Sequence, residues 1–241
     1  MPVEVLALDH AVRSALAGVT TATLTTVLLK KGLRRVWMRG TLPLRPGQPR
    51  VIGRAFTLRF VPAREDLATP ASWASPISTR AAIEAMPAGC VAVADAMGVT
   101  DAGIFGDILC QRLRQRRVAA LVTDGVVRDL AGVLDTGLPV FCRGRAAPAS
   151  VAELTFVNWQ EPIGCGGVAV FPNDVVVADD DGAVLIPAAL LDEVVEAAVE
   201  QERLEAWIMD EVRGGAALPG LYPPNEGNLA RYKSARDEGG R

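Results

Sequence analysis

The sequence predicts an α/β protein, a single compact domain with mixed sheets. Three observations predict it. Stretches with a 3.6-residue apolar period alternate with short, continuously apolar runs of strand length. Those runs end in Asp or Gly, residues that turn a buried strand outward. A chain of 241 residues, 50% hydrophobic and 22% charged, can also bury a large core, and no Pro/Gly linker divides it.

The elements follow in order. Leu8, Val12, Ala15 and Leu16 share one helical face over residues 8–17. A second helix is expected from about Thr23 to Lys31, stopped by Gly32, giving an N-terminal helical segment over about 1–35. Pro43, Pro46 and Pro49 then break regular structure, and VIGRAFTLRFV from Val51 reads as a strand interrupted by glycine. Residues 76–86 read as a helix and Gly89–Asp95 as a buried strand. Residues 106–116 form an amphipathic helix opened by Gly106-Asp107, with Ile108, Leu109 and Leu113 opposite Arg112, Arg114 and Arg116. Val118–Asp124 and Leu138–Cys142 are two further buried strands. Val168–Phe171, Val175–Val177 and Val184–Ile186 read as a meander joined by Pro172-Asn173-Asp174 and Asp179–Gly182. The acidic run lacks the spacing and closing Glu of a calcium loop, so it is turn chemistry. A long helix over 188–212 ends at Gly214-Gly215, and the Pro- and Gly-rich tail, with Leu221, Tyr222 and Tyr232, reads as an ordered arm completing a C-terminal segment over 188–241.

Composition narrows the chemistry. With a net charge of −3 and no basic face, the chain is not expected to bind nucleic acid. No stretch of about 18 residues is continuously apolar, so no membrane span is expected. MPVEVLALDHAVRSAL lacks the basic start and apolar run of a signal peptide. Cys90, Cys110, Cys142 and Cys165 show no C-x-x-C spacing and read as buried, reduced thiols of a cytoplasmic protein. His10 is the one histidine, which excludes a His-rich zinc site within one chain. The three lysines, Lys30, Lys31 and Lys233, are poor Schiff-base candidates. Catalysis would therefore run on carboxylates, arginines, backbone amides, water and a hard metal ion.

The densest functional signal lies between residues 101 and 144. Gly106, Asp107, Ile108 and Leu109 sit where the chain enters a helix. First-turn N–H groups without intrahelical partners, at the positive end of the dipole, suit a carboxylate or phosphate. Asp107 would equally serve as a helix cap. One helix and one strand later the chain returns through Asp124-Gly125 to Arg128-Asp129, near the same corner. From these two residues alone, a solvated ion pair is the plainer reading.

Asp107, twenty intervening residues and Arg128-Asp129 together resemble the signature of the RraA-like family, in its branch of class II pyruvate aldolases. That branch cleaves 4-hydroxy-4-methyl-2-oxoglutarate and 4-carboxy-4-hydroxy-2-oxoadipate. VTDGVVRD, GLPVF and IGCGGVAVFPNDVVVADDDGAVLIP resemble it too, so the likeness covers about residues 50–225. It implies a layered α/β/α fold and a homotrimer or homohexamer with the active site between subunits. It also implies that Asp129 ligates a divalent metal, that Asp107 holds the metal's water, and that Arg128 contacts the substrate's carboxylate and keto oxygen. Ile108 and Leu109, following Gly106, match the positions whose N–H groups receive the pyruvoyl carboxylate. The family takes a Glu from a neighbouring subunit, for which Glu200, Glu202 and Glu205 are candidates; an exposed helical face is their other reading. Some positions depart from the pattern. Arg117 and Ala120 stand where members often have Gly, suggesting a differently packed helix-to-strand junction. Asn173 also replaces a Gly, and Thr25 and Thr26 stand where the early helix often carries an Asp.

The chemistry agrees with the resemblance. Aldol cleavage of a 2-oxo acid generates a pyruvate enolate whose charge must be neutralised. Without a suitable lysine, a divalent metal does this, and carboxylates with water favour Mg2+ or Mn2+ over zinc. Arg128 adds a fixed charge and a bidentate fork. Loss of CO2 from oxaloacetate gives the same enolate, so decarboxylation is an expected side activity. His10 is poorly placed as the base, which leaves a water oriented by Asp107. The expected function is thus a divalent-metal-dependent aldolase of 4-hydroxy-2-oxo dicarboxylic acids, acting on a small 2-oxo acid. Two alternatives stand beside it: a protein-binding regulator of a ribonuclease, known in the same family, and a lyase of sugar-derived 2-keto-3-deoxy acids. Arg54, Arg59, Arg64 and Trp73 are candidates for the distal pocket, or ordinary surface and core residues.

Overall fold

In the computed structural model, which describes residues 4–239, the N-terminal periodicity becomes two helices. α1 (His10–Ala17) opens with the Ala11 N–H donating to the Asp9 carboxylate. α2 (Thr21–Lys30) opens with the Thr23 N–H donating to the Thr20 hydroxyl. Acids distant in sequence complete that cap: Thr21 N–H donates to Asp179 and Thr20 N–H to Glu202. The acidic turn thus anchors a helix N-terminus, where negative charge is favoured.

Two short strands, β1 (Trp37–Met38) and β2 (Leu42–Pro43), precede the long β3 (Val51–Pro62). Then come α3 (Thr79–Ala85), β4 (Val91–Asp95), α4 (Asp107–Gln115), β5 (Ala120–Thr123), α5 (Leu130–Asp135) and β6 (Val140–Cys142). β7 (Leu154–Trp159), β8 (Val175–Asp179), β9 (Gly182–Ile186), α6 (Leu191–Arg213) and α7 (Glu226–Gly239) complete the chain. The strands form one mixed sheet in the order β1-β9-β8-β3-β4-β5-β6-β2, with β7 also paired to β3. β3 to β6 are parallel neighbours joined by α3, α4 and α5, as parallel strands require.

Side-chain alternation along the strands explains the layering. Ala92 and Ala94 of β4 join Ile83, Met86, Leu113 and Val133 beneath α3–α5. Their neighbours Val91 and Val93 face the other way and pack with Val176 and Ala178 of β8 and Leu185 of β9. Val175, Val177, Val184 and Ile186 then meet Leu16, Leu24, Leu28 and Val194 from α1, α2 and α6. The expected mixed sheet with helices on its outer faces is present, and the sheet folds over through β3 to enclose a core of its own. Full burial of one such apolar side chain is worth about 1.5–3 kcal/mol. An exposed ion pair contributes about 0–1 kcal/mol, so these three clusters hold the fold.

The structure corrects several sequence expectations. Val168–Phe171 is not a strand: it follows a 3-10 turn at Cys165–Gly167 and pairs through a single bridge between Ile163 and Val170. β7 was not anticipated. The ordered arm contains α7, whose Tyr232 is buried against Trp207 of α6. The junction at Arg117 is met by the backbone, which takes φ 60° there, a left-handed conformation that favours glycine. Among the described residues no single helix is long and apolar enough to cross a membrane. All four cysteines are buried and free. Burial pushes the Cys90 and Cys110 thiols up to about 12 and Cys142 up to about 11, which keeps them protonated and unreactive at neutral pH.

Candidate functional site

The site begins with backbone pairing beyond the ends of β4 and β5. Gly103 bridges Val126 in parallel, Ile104 N–H donates to the Val126 carbonyl at 2.9 Å, and Arg128 N–H donates to the Phe105 carbonyl at 2.9 Å. Residues 103–105 and 126–128 are thereby zipped together. Gly106-Asp107 and Arg128-Asp129 emerge side by side at the carboxyl ends of parallel strands, where open α/β sheets bind ligands. Asp124, buried at the end of β5, braces this corner by accepting from Ala96 N–H at 2.9 Å and Gly166 N–H at 3.1 Å. Burial raises its carboxyl above the ordinary aspartate range.

Two glycines let the helix starts touch. A Cβ at Gly106 would lie 2.5 Å from Asp129 Oδ2, and one at Gly132 would lie 2.7 Å from Asp107 Cβ and 2.7 Å from its Oδ2. Each acid therefore occupies the space that a side chain on the facing helix would fill. Asp129 stands at the N-cap of α5 with φ 55° and makes no capping bond. An extended N-cap aspartate would fold its carboxylate onto its own helix. The left-handed backbone, which Asp tolerates, leaves that carboxylate to accept from Arg128 Nε at 3.0 Å instead.

These groups line one cavity of about 530 Å3, shared with Trp73, Arg80, Glu84 and Arg112. Arg112 donates to both Glu84 oxygens at 2.8 Å, and this pairing holds the Glu84 carboxyl below its usual range. Arg80 lies over the Trp73 ring, 4.9 Å from its centroid. At the start of α4 the N–H groups of Ile108 and Leu109 point away from any helical carbonyl. The Ile108 N–H donates to Asp107 Oδ1 at 2.7 Å. Asp107 is thus the first residue inside the helix, after Gly106 at the N-cap, and it covers one of the two predicted carboxylate donors.

The donor chemistry suits a hard cation. Asp107 and Asp129 offer carboxylate oxygens, and a carboxylate has about four lone-pair positions, of which Arg128 takes one at Asp129. Among the described residues no group of three or more His, Cys, Asp or Glu gathers to hold a metal ion. A four-ligand zinc site is therefore a poor match, whereas Mg2+ keeps several waters and needs one or two carboxylates.

All six residues singled out at this corner, Gly106, Asp107, Ile108, Leu109, Arg128 and Asp129, line the same cavity, and Trp73 joins them. Three arginines proposed for its far end lie elsewhere. Arg54 donates to the Asn173 carbonyl, Arg59 pairs with Glu161, and Arg64 pairs with Asp66. Glu200, Glu202 and Glu205 have partners within the chain. They accept from the Tyr232 hydroxyl, Thr20 N–H and the Thr23 hydroxyl, tying α7 and α2 to α6. His10 is exposed at the start of α1. Sequence reasoning missed Arg80, Glu84 and Arg112. The available signal was Arg80 and Glu84 one helical turn apart, on the side of Thr79 and Ile83.

A sequence profile described as RraA-like, Aldolase/RraA, matches residues 21–185. "Protein DlpA" of Legionella pneumophila is 31% identical over 176 residues, 73% of this chain and 28% of that protein. A Halalkalibacterium halodurans protein named "Putative 4-hydroxy-4-methyl-2-oxoglutarate aldolase" is 35% identical over 137 residues, 55% of this chain and 64% of that one. The chain therefore spans less than two thirds of the length of both relatives. The crystal structure of Streptomyces coelicolor RraAS2, described as an unusual member of the RNase ES inhibitor RraA protein family, superimposes with a TM-score of 0.75. That pair is 35% identical, covering 86% of this chain and 98% of the other.

Proposed function

The chain belongs to the RraA-like family, and from that premise we propose that it is a divalent-metal-dependent class II aldolase. Its substrates would be 4-hydroxy-2-oxo dicarboxylic acids of the 4-hydroxy-4-methyl-2-oxoglutarate type, cleaved to pyruvate and a second oxo acid. The observation that carries this reading is the meeting of Asp107, Arg128 and Asp129 at the open start of α4, inside one cavity.

Each group has a task set by its chemistry. The substrate's C1 carboxylate lies on the Ile108 and Leu109 N–H groups, where the helix dipole favours an anion. Its arrival displaces Asp107 Oδ1 from Ile108, which frees that carboxylate to hold the water that takes the C4 hydroxyl proton. As the proton leaves, the C4 oxygen becomes a carbonyl, the C3–C4 bond breaks and its electrons pass to C3 and the C2 oxygen. Arg128 presents a fixed guanidinium to that oxygen; removing such a group costs about 10²–10³-fold in rate. Asp129 would hold the divalent cation, Mg2+ or Mn2+, which when bound supplies positive charge against the enolate. Protonation at C3 then yields pyruvate. Oxaloacetate reaches the same enolate by losing CO2, so decarboxylase activity accompanies the aldolase.

The same reading includes a homotrimer or homohexamer whose subunits meet at this cavity, in the cytoplasm. Ile108, 79% exposed at the cavity, supports a covered mouth in the assembly. A second reading, a protein-binding regulator of ribonuclease activity, is favoured by the likeness to RraAS2. It needs no acid–arginine–acid set. The deciding experiment is pyruvate release from a panel of 2-oxo acids with Mg2+, before and after chelation. Release from a 4-hydroxy diacid that stops on chelation supports the aldolase. No release from any panel member at millimolar Mg2+ removes it in favour of the regulator.

A further inference from the structure

Three guanidinium groups line the cavity that holds Asp107. Two are already ion-paired, Arg112 with Glu84, which also pairs with Arg116, and Arg128 with Asp129. Arg80 makes no ion pair among the described residues and rests on Trp73, its guanidinium carbon 4.9 Å from the ring centroid. Partial burial without a counter-charge pulls its pKa below the usual arginine value, yet an arginine stays charged at any working pH. Trp73 comes from the 3-10 turn Pro70–Ala74 and Arg80 from the first turn of α3. Both belong to the segment between β3 and β4, whereas Asp107, Arg128 and Asp129 follow β4 and β5. The cavity therefore has a second wall with its own uncompensated cation.

We propose that Arg80, held on the face of Trp73, receives the second carboxylate of a 2-oxo diacid whose first carboxylate lies at the start of α4, so that the cavity selects diacids over monoacids. This assignment rests on the reading above for the orientation of the acid. A diacid brings two negative charges; the N–H groups at the start of α4 answer one, and Arg80 is the cavity guanidinium without an ion-pair partner among the described residues to answer the other. A monoacid of equal length would set an apolar tail against the exposed Arg80, taking the place of water without offering a charged acceptor in return. Trp73 limits the rotamers of Arg80, so less freedom is lost when the carboxylate arrives.

The test is calorimetric binding of 2-oxoglutarate and 2-oxopentanoate in the presence of Mg2+. Both have five carbons, differ in the terminal carboxylate, and lack the C4 hydroxyl needed for cleavage. The wild-type protein is expected to bind the diacid at least about tenfold more tightly, the effect of one charged hydrogen-bonded pair. Arg80→Met and Arg80→Gln, checked for an unchanged melting midpoint, should bring that ratio to about one through loss of diacid affinity. A wild-type ratio near one, a preference retained in both variants, or no binding of either acid overturns the assignment. Pyruvate release from 4-hydroxy-4-methyl-2-oxoglutarate is scored separately. An Arg80-dependent preference without turnover keeps the subsite and removes the aldolase; turnover without the preference does the reverse.

Discussion

Gly106→Ala probes how the two acids are held. Gly106 has φ −110° and ψ −171°, an extended backbone that alanine adopts without strain. The added methyl would sit 2.5 Å from Asp129 Oδ2 and 3.2 Å from Arg128 Cγ, whereas ordinary contact begins at 3.4 Å. The carboxylate must retreat by about 1 Å, and a misplacement of that size in a catalytic constellation costs roughly 10²-fold. Asp129 is exposed and meets the methyl with the end of its side chain, so it swings aside without moving the backbone. Alanine also lowers the entropy of the unfolded chain, worth about 0.4–1 kcal/mol in favour of folding. The melting midpoint should therefore stay within about 3 °C of wild type, while kcat/KM for pyruvate release falls by about two orders of magnitude. Pyruvate release within threefold of wild type would refute the claim that Asp129 acts from its present position. A variant that fails to fold would refute the claim that the side chain alone absorbs the contact.

Other substitutions address separate links. Arg128→Lys replaces a planar fork by a point charge and should lower kcat/KM by about 10²–10³-fold; an unimpaired lysine variant counts against the fork. Arg117→Gly relieves a left-handed backbone at φ 60° and should raise unfolding free energy by about 0.5–1 kcal/mol, after the entropy lost by glycine is subtracted. A lower denaturant midpoint would show that the Arg117 side chain holds contacts worth more than the strain. Asp124 titrates above the ordinary aspartate range because it is buried, so the folded state holds its proton more tightly than the unfolded state. Its contribution is full below the unfolded value of about 4 and is lost as pH rises through the folded value. Relative to Asp124→Asn, wild type should therefore gain stability as pH falls from about 7 to 4, and parallel curves of unfolding free energy against pH would exclude this.

Much of the fold was legible because apolar period and burial coincide. The strands at Val91–Asp95 and Ala120–Thr123 are buried on both faces and read as unbroken apolar runs. The helix at Asp107–Gln115 buries Cys110 and Leu113 and half-buries Leu109, whereas Ile108, read as part of that apolar face, stands 79% exposed at the cavity. Elements without such contrast were lost. Within Leu154–Trp159 the four residues from Phe156 are half-buried on both faces, and Glu226–Gly239 carries few apolar residues, so its helix is set by local hydrogen bonds and the docking of Tyr232. Val168 and Val170 are buried like strand residues, yet they cover the core as a loop over the folded sheet. The corner at Asp107, Arg128 and Asp129 was readable because a helix and a strand return the chain to a predictable edge. The far wall was readable only at Trp73, named as a distal-pocket candidate: Arg80 lies on the expected helix over 76–86, but nothing in the sequence shows that the segment between β3 and β4 returns that helix to the cavity. The arginines chosen instead, Arg54, Arg59 and Arg64, find local partners on or beside β3.

The most direct test of the central claim is pyruvate release by Asp129→Asn, measured against wild type as Mg2+ is raised from micromolar to millimolar. Asparagine keeps the size of the side chain and removes its charge. The account predicts a folded variant with no turnover at any Mg2+ level. Near-normal rates from that variant would contradict it.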